Sequence, residues 1–574
     1  LQSALAEQKR TGRKLGRVLS DLKLVDEAVV CDALARHLQI PFVDLRTLSI
    51  DRAAVKLLPE GLARRFRALV LKVEGGSLMV GMVDPTDLVA YDELAARLRK
   101  PLQIVLLKED DLVKTIDVVY RRTDEIASIA QEVREELISS DIDIEQLAAS
   151  EGSPDAPVLR LIQSMFQDAV QVRASDIHIE PGEAVLRIRQ RVDGVLHEQS
   201  LDAQRVAGAL VTRLKLMSGL DIAEKRLPQD GRFSLKVGGR SIDVRASTLP
   251  TQHGESVVLR LLDQSSSLLS LPQLGMPDGL LARFRELIER SAGMTLVTGP
   301  TGSGKTTTLY SALGQLNRAD TKIITVEDPV EYRLDRINQV QINPKIGLDF
   351  ARVLRTTLRQ DPDVILIGEM RDRETVDIGL RAAITGHLVL STLHTINAIA
   401  TVNRLLDMGA AGYMIAAALD AIVAQRLLRR ICDDCREPAT PTPQQLAWLH
   451  AQIGRARALP DRFSIGHGCA YCNLSGYRGR IAVYELLELD AGLADAIRRQ
   501  DISAFAQLAR AKADYRPLTQ AALDLAVEGR TTLAEVISAT SGTEERDPQL
   551  LADALSEESL RDGEARQVAL ANGA

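Results

Sequence analysis

Gly299-Pro300-Thr301-Gly302-Ser303-Gly304-Lys305-Thr306 fills the pattern G-x-x-x-x-G-K-[ST] without a gap. Before it, Met294-Thr295-Leu296-Val297-Thr298 has the build of a short strand, and from Thr307 to Leu316 the chain reads as a helix. Strand, loop and helix are the context this pattern needs. Its glycines let backbone N–H groups curl around phosphate oxygens, Lys305 brings charge to the β and γ phosphates, and the Thr306 hydroxyl can ligate Mg²⁺. The ligand implied is ATP or a similar nucleoside triphosphate, cradled by Gly299 to Thr307.

The surrounding chain is long enough for several domains. Its 574 residues exceed the size of one core, and a 45% hydrophobic, 26% charged composition is that of a soluble globular chain. No apolar run approaches the roughly 18 residues a membrane-spanning helix needs. A net charge of -7, 3% aromatic residues and the single Trp448 argue against a nucleic-acid motor, which needs a basic face and stacking platforms. No signal peptide is read and the first residue is Leu1 rather than Met, so the expectation is a cytoplasmic chain that begins inside a longer gene product.

Residues 1–58 read as a helical domain with a faint repeat, Leu1-x-x-Ala4-Leu5-x-x-Gln8 returning as Val30-x-x-Ala33-Leu34-x-x-His37. Residues 59–122 read as a small α/β domain, with strands at 68–71, 78–83 and 103–107 and a helix at 88–99 after the turn Asp84-Pro85-Thr86-Asp87. The charged stretch 123–155 reads as a linker, helical or mobile. Hairpins then run through Asp193-Gly194 and Gly238-Gly239, which makes 156–267 an antiparallel sheet with helices. From 280 to 541 strands alternate with helices, the pattern of a parallel sheet covered on both faces, interrupted by a cysteine-containing insert at about 430–480 and ending in helices. The acidic, aromatic-free tail 542–574 is expected to be disordered.

Hydrolysis needs more than a cradle: a metal partner and a group that activates water. Val364-Ile365-Leu366-Ile367-Gly368-Glu369 delivers Glu369 at a strand's C-terminal end, with glycine where an aspartate usually holds Mg²⁺, so Glu369 takes that task through a water. Ile323-Ile324-Thr325-Val326-Glu327-Asp328-Pro329-Val330-Glu331 offers Glu327 as the general base. Either carboxylate is equally readable as a helix cap or a surface charge. His387 and His394 flank another apolar strand, where they can sense the γ-phosphate or be structural.

With these residues together, the chain resembles the secretion-superfamily ATPases of type II secretion and type IV pilus assembly, whose phosphate loop, acidic box, Gly-Glu strand ending and two-histidine box follow in this order. The resemblance extends to Ala174-Ser175-Asp176-Ile177-His178-Ile179-Glu180-Pro181, to Arg189-x-Arg191-x-Asp193-Gly194 and to Arg226-Leu227-Pro228-Gln229-Asp230-Gly231-Arg232, and covers roughly residues 10–541. Gln252-His253-Gly254-Glu255-Ser256-Val257-Val258 resembles the branch that serves mannose-sensitive haemagglutinin pili. The resemblance implies an α/β multidomain chain with a RecA-like ATPase core, a PAS-like α+β domain before it and a small N-terminal helical plus α/β region. It implies a homo-hexameric ring at the inner membrane that pushes on a platform protein and, through it, on pilin-like subunits, with no direct nucleic-acid partner. Catalytic roles for Glu327, Glu369, His394, Arg232 and Arg245 follow from it, Arg189 and Arg191 being alternatives for the arginines. A nucleotide-gated scaffold and a nucleic-acid translocase are the competing readings of the same core.

Cys432-x-x-Cys435 and Cys469-x-x-Cys472 can each grip one edge of a tetrahedral Zn²⁺, and a cytoplasmic chain does not rely on disulfides. With all positions filled by sulfur the zinc is structural. In the resembled family this insert engages the platform partner. Cys31 reads as a small buried apolar residue. The N-terminal repeat is similar to the tandem motif that binds cyclic di-GMP in some of these ATPases, with Lys14 in place of arginine, His37 in place of the glutamine seen at Gln8, and the first copy truncated at Leu1.

Overall fold

The structure, a computed structural model, describes residues 24–541 apart from 26, 46–47, 49, 56, 121–122, 140–156, 202–203, 264–268, 454–462 and 474. The repeat's first copy, Lys14, the second half of the presumed linker and the acidic tail lie outside the described residues. The chain divides into two compact units. One runs to Ser265 and takes in 431–437 and 466–478; the other holds the remainder.

In the first unit, α1 (Glu27–Leu38) packs Cys31 and Ala35 against Leu106, so Cys31 is indeed a buried apolar contact. A sheet of β1 (Ala68–Glu74), β2 (Ser77–Met82) and β3 (Leu102–Leu106) follows, its first pair antiparallel and its second parallel. The parallel pair needs a crossover, and α2 (Leu88–Leu98) supplies it, capped by the Asp87 carboxylate on Ala90 N–H. α3 (Glu109–Val119) closes this layer.

The stretch expected to be a linker is not one along its first half. α4 (Thr123–Ser139) buries Ile126, Ile129, Ala130 and Val133 in one core with Val158, Leu161 and Met165 of α5 (Pro157–Gln171). Their i, i+3, i+4, i+7 spacing is a core-facing stripe, which the high charge of the same stretch obscures. Behind α4, α5 and α6 (Gln204–Met217) stands a sheet of β4 (Asp176–Pro181), β5 (Leu186–Val192), β6 (Val195–Leu201), β7 (Gln229–Val237), β8 (Arg240–Thr251) and β9 (Gly254–Asp263), in the order β6-β5-β4-β9-β8-β7 and antiparallel at each join. Period-two alternation sends Ile177, Ile179, Ile188, Val244, Ala246, Val257 and Leu259 into the core and leaves a polar face opposite.

In the second unit, α7 (Asp278–Ile288) leads into β10 (Gly293–Thr298), α8 (Lys305–Leu316), β11 (Ile323–Glu327), β12 (Asn338–Gln341), α9 (Phe350–Thr357), β13 (Val364–Ile367), α10 (Arg373–Ile384), β14 (Leu388–Leu393), β15 (Leu419–Ile431) and β16 (Tyr477–Glu488). Together the strands form one sheet, β12-β11-β13-β14-β10-β15-β16, and the pairs from β12 to β15 are parallel. β11, β13 and β14 are buried along their whole length, as strands covered on both faces must be. Short helices from Ala491–Arg498 to Leu533–Thr540 complete the unit, as the 488–541 stretch suggests. No helix among the described residues is long and apolar enough to cross a membrane.

Candidate nucleotide site and cysteine cluster

Parallel strands bring their C-terminal ends to one edge, where open α/β sheets hold ligands. The strand order makes β14 the neighbour of both β10 and β13, so this edge gathers the glycine loop after β10, Glu369 after β13 and His394 after β14, with Glu327 at the end of β11. His387 precedes β14 and lies at the opposite edge, roughly 20 Å of strand away. There its Nδ1 sits 3.0 Å from Ala382 O at the end of α10. Of the two histidines only His394 belongs to the site.

The loop is packed tightly enough to exclude side chains. A Cβ on Gly299, whose φ is +149°, would lie 2.4 Å from Gln425 O and 2.6 Å from Ser303 Oγ. Gln425 Oε1, reaching from β15, accepts the Thr308 hydroxyl at 2.7 Å and pins the first turn of α8. Lys305 Nζ donates only to the backbone oxygens of Gly299 (2.7 Å) and Pro300 (3.1 Å). Burial pulls its pKa down to about 8, against the nearby Glu369, which raises it, and with Arg426, which lowers it further. A buried ammonium without a carboxylate in hydrogen-bond range is costly unless an anion arrives. Ser303 Oγ beside it is buried and has no hydrogen-bond partner. An orphaned hydroxyl, a Cβ-free cradle, an α8 N-terminus and an uncompensated cation fit a polyphosphate. Thr306, exposed on the first turn, can join Glu369 around its Mg²⁺.

Glu369 is fixed by two partners. Arg371 Nε donates to it at 2.9 Å while NH1 reaches Asp328 at 3.4 Å, and His394 Nε2 stands 3.3 Å from its other oxygen. Burial first and Lys305 second lower the His394 pKa, which favours the neutral imidazole at this 3.3 Å contact. At Gly368 the aspartate usual there would be crowded: a Cβ would meet Val326 O at 3.1 Å and Glu327 Cα at 3.3 Å.

Glu327 is 4% exposed. Its Oε1 accepts the Thr325 hydroxyl (2.5 Å) and Gln339 Nε2 (3.2 Å), and its Oε2 accepts the Tyr310 hydroxyl. Sequence reasoning found none of these three donors. Thr325 was open to it, being two positions before Glu327 on one strand face; Tyr310 and Gln339 arrive from other elements.

Arg232 and Arg245 belong to the other unit and face each other across β7 and β8. The register extends them into a row across the sheet, Arg191 opposite Asp176, Asp176 opposite Arg260, and Arg260 opposite Arg245. Asp176 lies 3.1 Å from Arg260 and 3.8 Å from Arg191, and Glu180 takes Arg189. Like charges directly opposite on adjacent strands destabilise a bare sheet, and the register sets Arg232 opposite Arg245.

The four cysteines meet in the first unit. Their sulfurs lie within 4.8 Å of one another, with Cys432–Cys469, Cys435–Cys472 and Cys469–Cys472 each at 3.8 Å. A tetrahedral ZnS₄ centre with Zn–S near 2.3 Å sets sulfurs about 3.8 Å apart. Cys469 N–H and Gly476 N–H point at the Cys472 sulfur from 3.1 and 3.2 Å, a backbone cup suited to a thiolate. Between the ligands, the Tyr471 hydroxyl donates to Asp111 O (2.7 Å) on α3 and lies 3.4 Å from Thr115 Oγ1.

Comparison with known proteins shows the family of the chain. The family described as Type II/IV secretion system protein matches residues 151–538, and the MshEN domain matches 38–126. The type IV pilus assembly ATPase PilB of Myxococcus xanthus is 40% identical over 544 residues, covering 94% of this chain and 96% of that protein. Type II secretion system protein E of Xanthomonas campestris pv. campestris is 43% identical over 545 residues, covering 93% and 94%. A solved structure of the pilus retraction motor PilT with bound ADP is 29% identical, with a TM-score of 0.46, and covers 68% of this chain and 98% of that one. On its sequence matches, this chain belongs to the type II/IV secretion system protein family and is one of its ATPases.

Proposed function

We propose that the chain is a homo-hexameric ATP-driven motor that works on an inner-membrane platform protein to assemble a type IV pilus or drive type II secretion. The single observation that carries the enzymatic half is Lys305, a buried cation whose hydrogen bonds go only to the glycine loop. The names of the relatives, one pilus assembly ATPase and one secretion protein, support the choice of machine without deciding between the two.

ATP seats its phosphates against Gly299 to Thr307, where Lys305 and the N–H groups of the loop neutralise them. Thr306 and, through a water, Glu369 would hold Mg²⁺, which would supply positive charge beside the transferring phosphoryl group. Glu327 is the general base for the attacking water. His394, beside Glu369, reports on the γ-phosphate. Arg232 and Arg245 come from the preceding domain of a ring neighbour and stabilise the developing negative charge. Cys432, Cys435, Cys469 and Cys472 hold a structural Zn²⁺ with no open position for catalysis. The MshEN match supports cyclic di-GMP as a ligand of the N-terminal region. The chain sits in the cytoplasm against the membrane, through its platform partner.

Glu369→Gln tests the motor against a nucleotide-gated scaffold. The motor reading expects ATP hydrolysis and pilus or secretion output to fall together; hydrolysis lost with assembly intact sinks it. DNA-stimulated turnover that collapses with salt would instead favour a translocase.

A further inference from the structure

We infer that Tyr310 is a positioning residue for hydrolysis: from the helix that begins in the phosphate loop, its hydroxyl holds the Glu327 carboxylate and directs its free lone pair to the attacking water. The inference rests on the reading of Glu327 as general base.

A buried tyrosine ordinarily needs some partner for its hydroxyl, and a backbone carbonyl usually suffices. Here the hydroxyl meets a carboxylate. It also accepts from Glu331 N–H at 3.3 Å and lies 3.5 Å from Gln339 Nε2, so its proton can point only at Glu327. Tyr332 stacks edge-on at 6.3 Å and fixes the ring. Burial, then the Glu327 charge, raises the Tyr310 pKa, which keeps the hydroxyl a donor at any working pH.

The geometry at Glu327 is lopsided. Oε1 takes two donors, Thr325 and Gln339, while Oε2 takes Tyr310 alone. A carboxylate offers about four acceptor positions, so the one left for a water proton is on the oxygen that Tyr310 holds. Gln339 is itself locked, donating to Tyr332 O at 3.0 Å and accepting from Leu334 N–H at 2.7 Å. Lys305 opens α8 and Tyr310 follows five positions later, about 7.5 Å along the same axis. One rigid helix thus sets the positions of the cation that binds phosphate and of the donor that aims the base. A displacement of about 1 Å at a reacting group costs on the order of 100-fold.

Steady-state ATPase kinetics of the full chain test this with Tyr310→Phe, Glu327→Gln and the double variant, alongside binding of a non-hydrolysable ATP analogue. Expected for Tyr310→Phe is a fall in kcat of about 10- to 100-fold with the analogue Kd within about twofold of wild type. The double variant should be no slower than Glu327→Gln alone, since Tyr310 acts only through that carboxylate. A kcat within twofold of wild type, an equal loss in analogue binding, or additive losses in the double variant each overturn the inference. If Glu327→Gln keeps most of its turnover, it is the base assignment that fails. Thr325→Val covers the case in which Tyr310→Phe does not fold: it frees Oε1, not the accepting oxygen, and should lower kcat by only about two- to fivefold. A loss beyond about 10-fold there contradicts the role given to Oε2.

Discussion

Two sets of cations stand on the two units, and they are held in opposite ways. Lys305 is buried, bonded only to carbonyl oxygens, and its pKa is depressed to about 8. On the six-stranded sheet Arg189, Arg191 and Arg260 face solvent more openly and already have carboxylates, Glu180 and Asp176, beside them. Burial without a carboxylate in hydrogen-bond range makes Lys305 an anion seat within one chain. The arginine row is different: its carboxylates neutralise one end, while Arg232 and Arg245 abut at the other. Such a patch binds nothing tightly by itself in water; its charge gains value when another surface desolvates it. The two charge sets thus differ in their surroundings, and the division proposed for them, ground-state binding for the lysine and stabilisation of the transferring phosphoryl for the arginines, follows that difference.

Removing Lys305 is therefore the largest break. Lys305→Ala should abolish measurable ATP binding and lower turnover by about 10³-fold, whereas a fall in kcat with Kd unchanged would put the lysine in the arginines' class. Arg232→Ala and Arg245→Ala should each lower kcat by about 10- to 100-fold and leave the Kd for ATP within about threefold, as equilibrium binding and initial rates will read. Mixing sharpens this. Equimolar Lys305→Ala and Arg232→Ala chains should recover part of the lost activity if the arginine serves a neighbour's site, and none if each chain completes its own.

How legible the two sets were in the sequence follows the same divide. The phosphate loop is contiguous, so eight residues carry the ligand and the helix start, directly after the strand that precedes them. The cysteine pairs, though 33 residues apart, carry their spacing rule within each pair. Alternation also reveals the hairpins that bear Arg232 and Arg245. The row through Asp176 and Arg260 was not legible, because the register between β4 and β9 is set by side-chain packing across segments more than 70 residues apart in sequence. Tyr310 and Gln339 escaped for a like reason: each looks like an ordinary helix or edge-strand residue until the fold brings it to Glu327. The helix of α4 is legible, but its high charge hides the apolar stripe that puts it in a core.

A smaller effect separates the metal centre from both cation sets. Chelating zinc, or Cys432→Ser, should remove the bound metal and lower the melting temperature by several degrees. Hydrogen exchange should rise in α3, to which Tyr471 is bonded, and stay unchanged in α8. Loss of protection around Lys305 would show that the cluster supports the nucleotide site after all.

The finest test uses the pH at which Lys305 titrates, where no arginine on the sheet can respond. Its value near 8 in the ligand-free protein lies below the ordinary 10.5. Between those two values the unfolded chain holds the proton longer, so this group makes ligand-free stability rise with pH over about 8 to 10.5. Triphosphate reverses the preference by favouring the charged lysine, and binding must then take up a proton wherever the free site has lost one. Affinity therefore falls as pH climbs through 8, by about tenfold between pH 7.5 and 9, with uptake of about half a proton at pH 8. Calorimetry in buffers of differing ionisation heat measures that uptake directly. A flat Kd over this range would mean that Lys305 keeps its charge without ligand, and the contrast between a waiting cation and a pre-paired row would lose its first member. The expected pair of opposite slopes, stability up and affinity down, is what a single buried ammonium that takes the substrate's phosphates as its counter-ion produces.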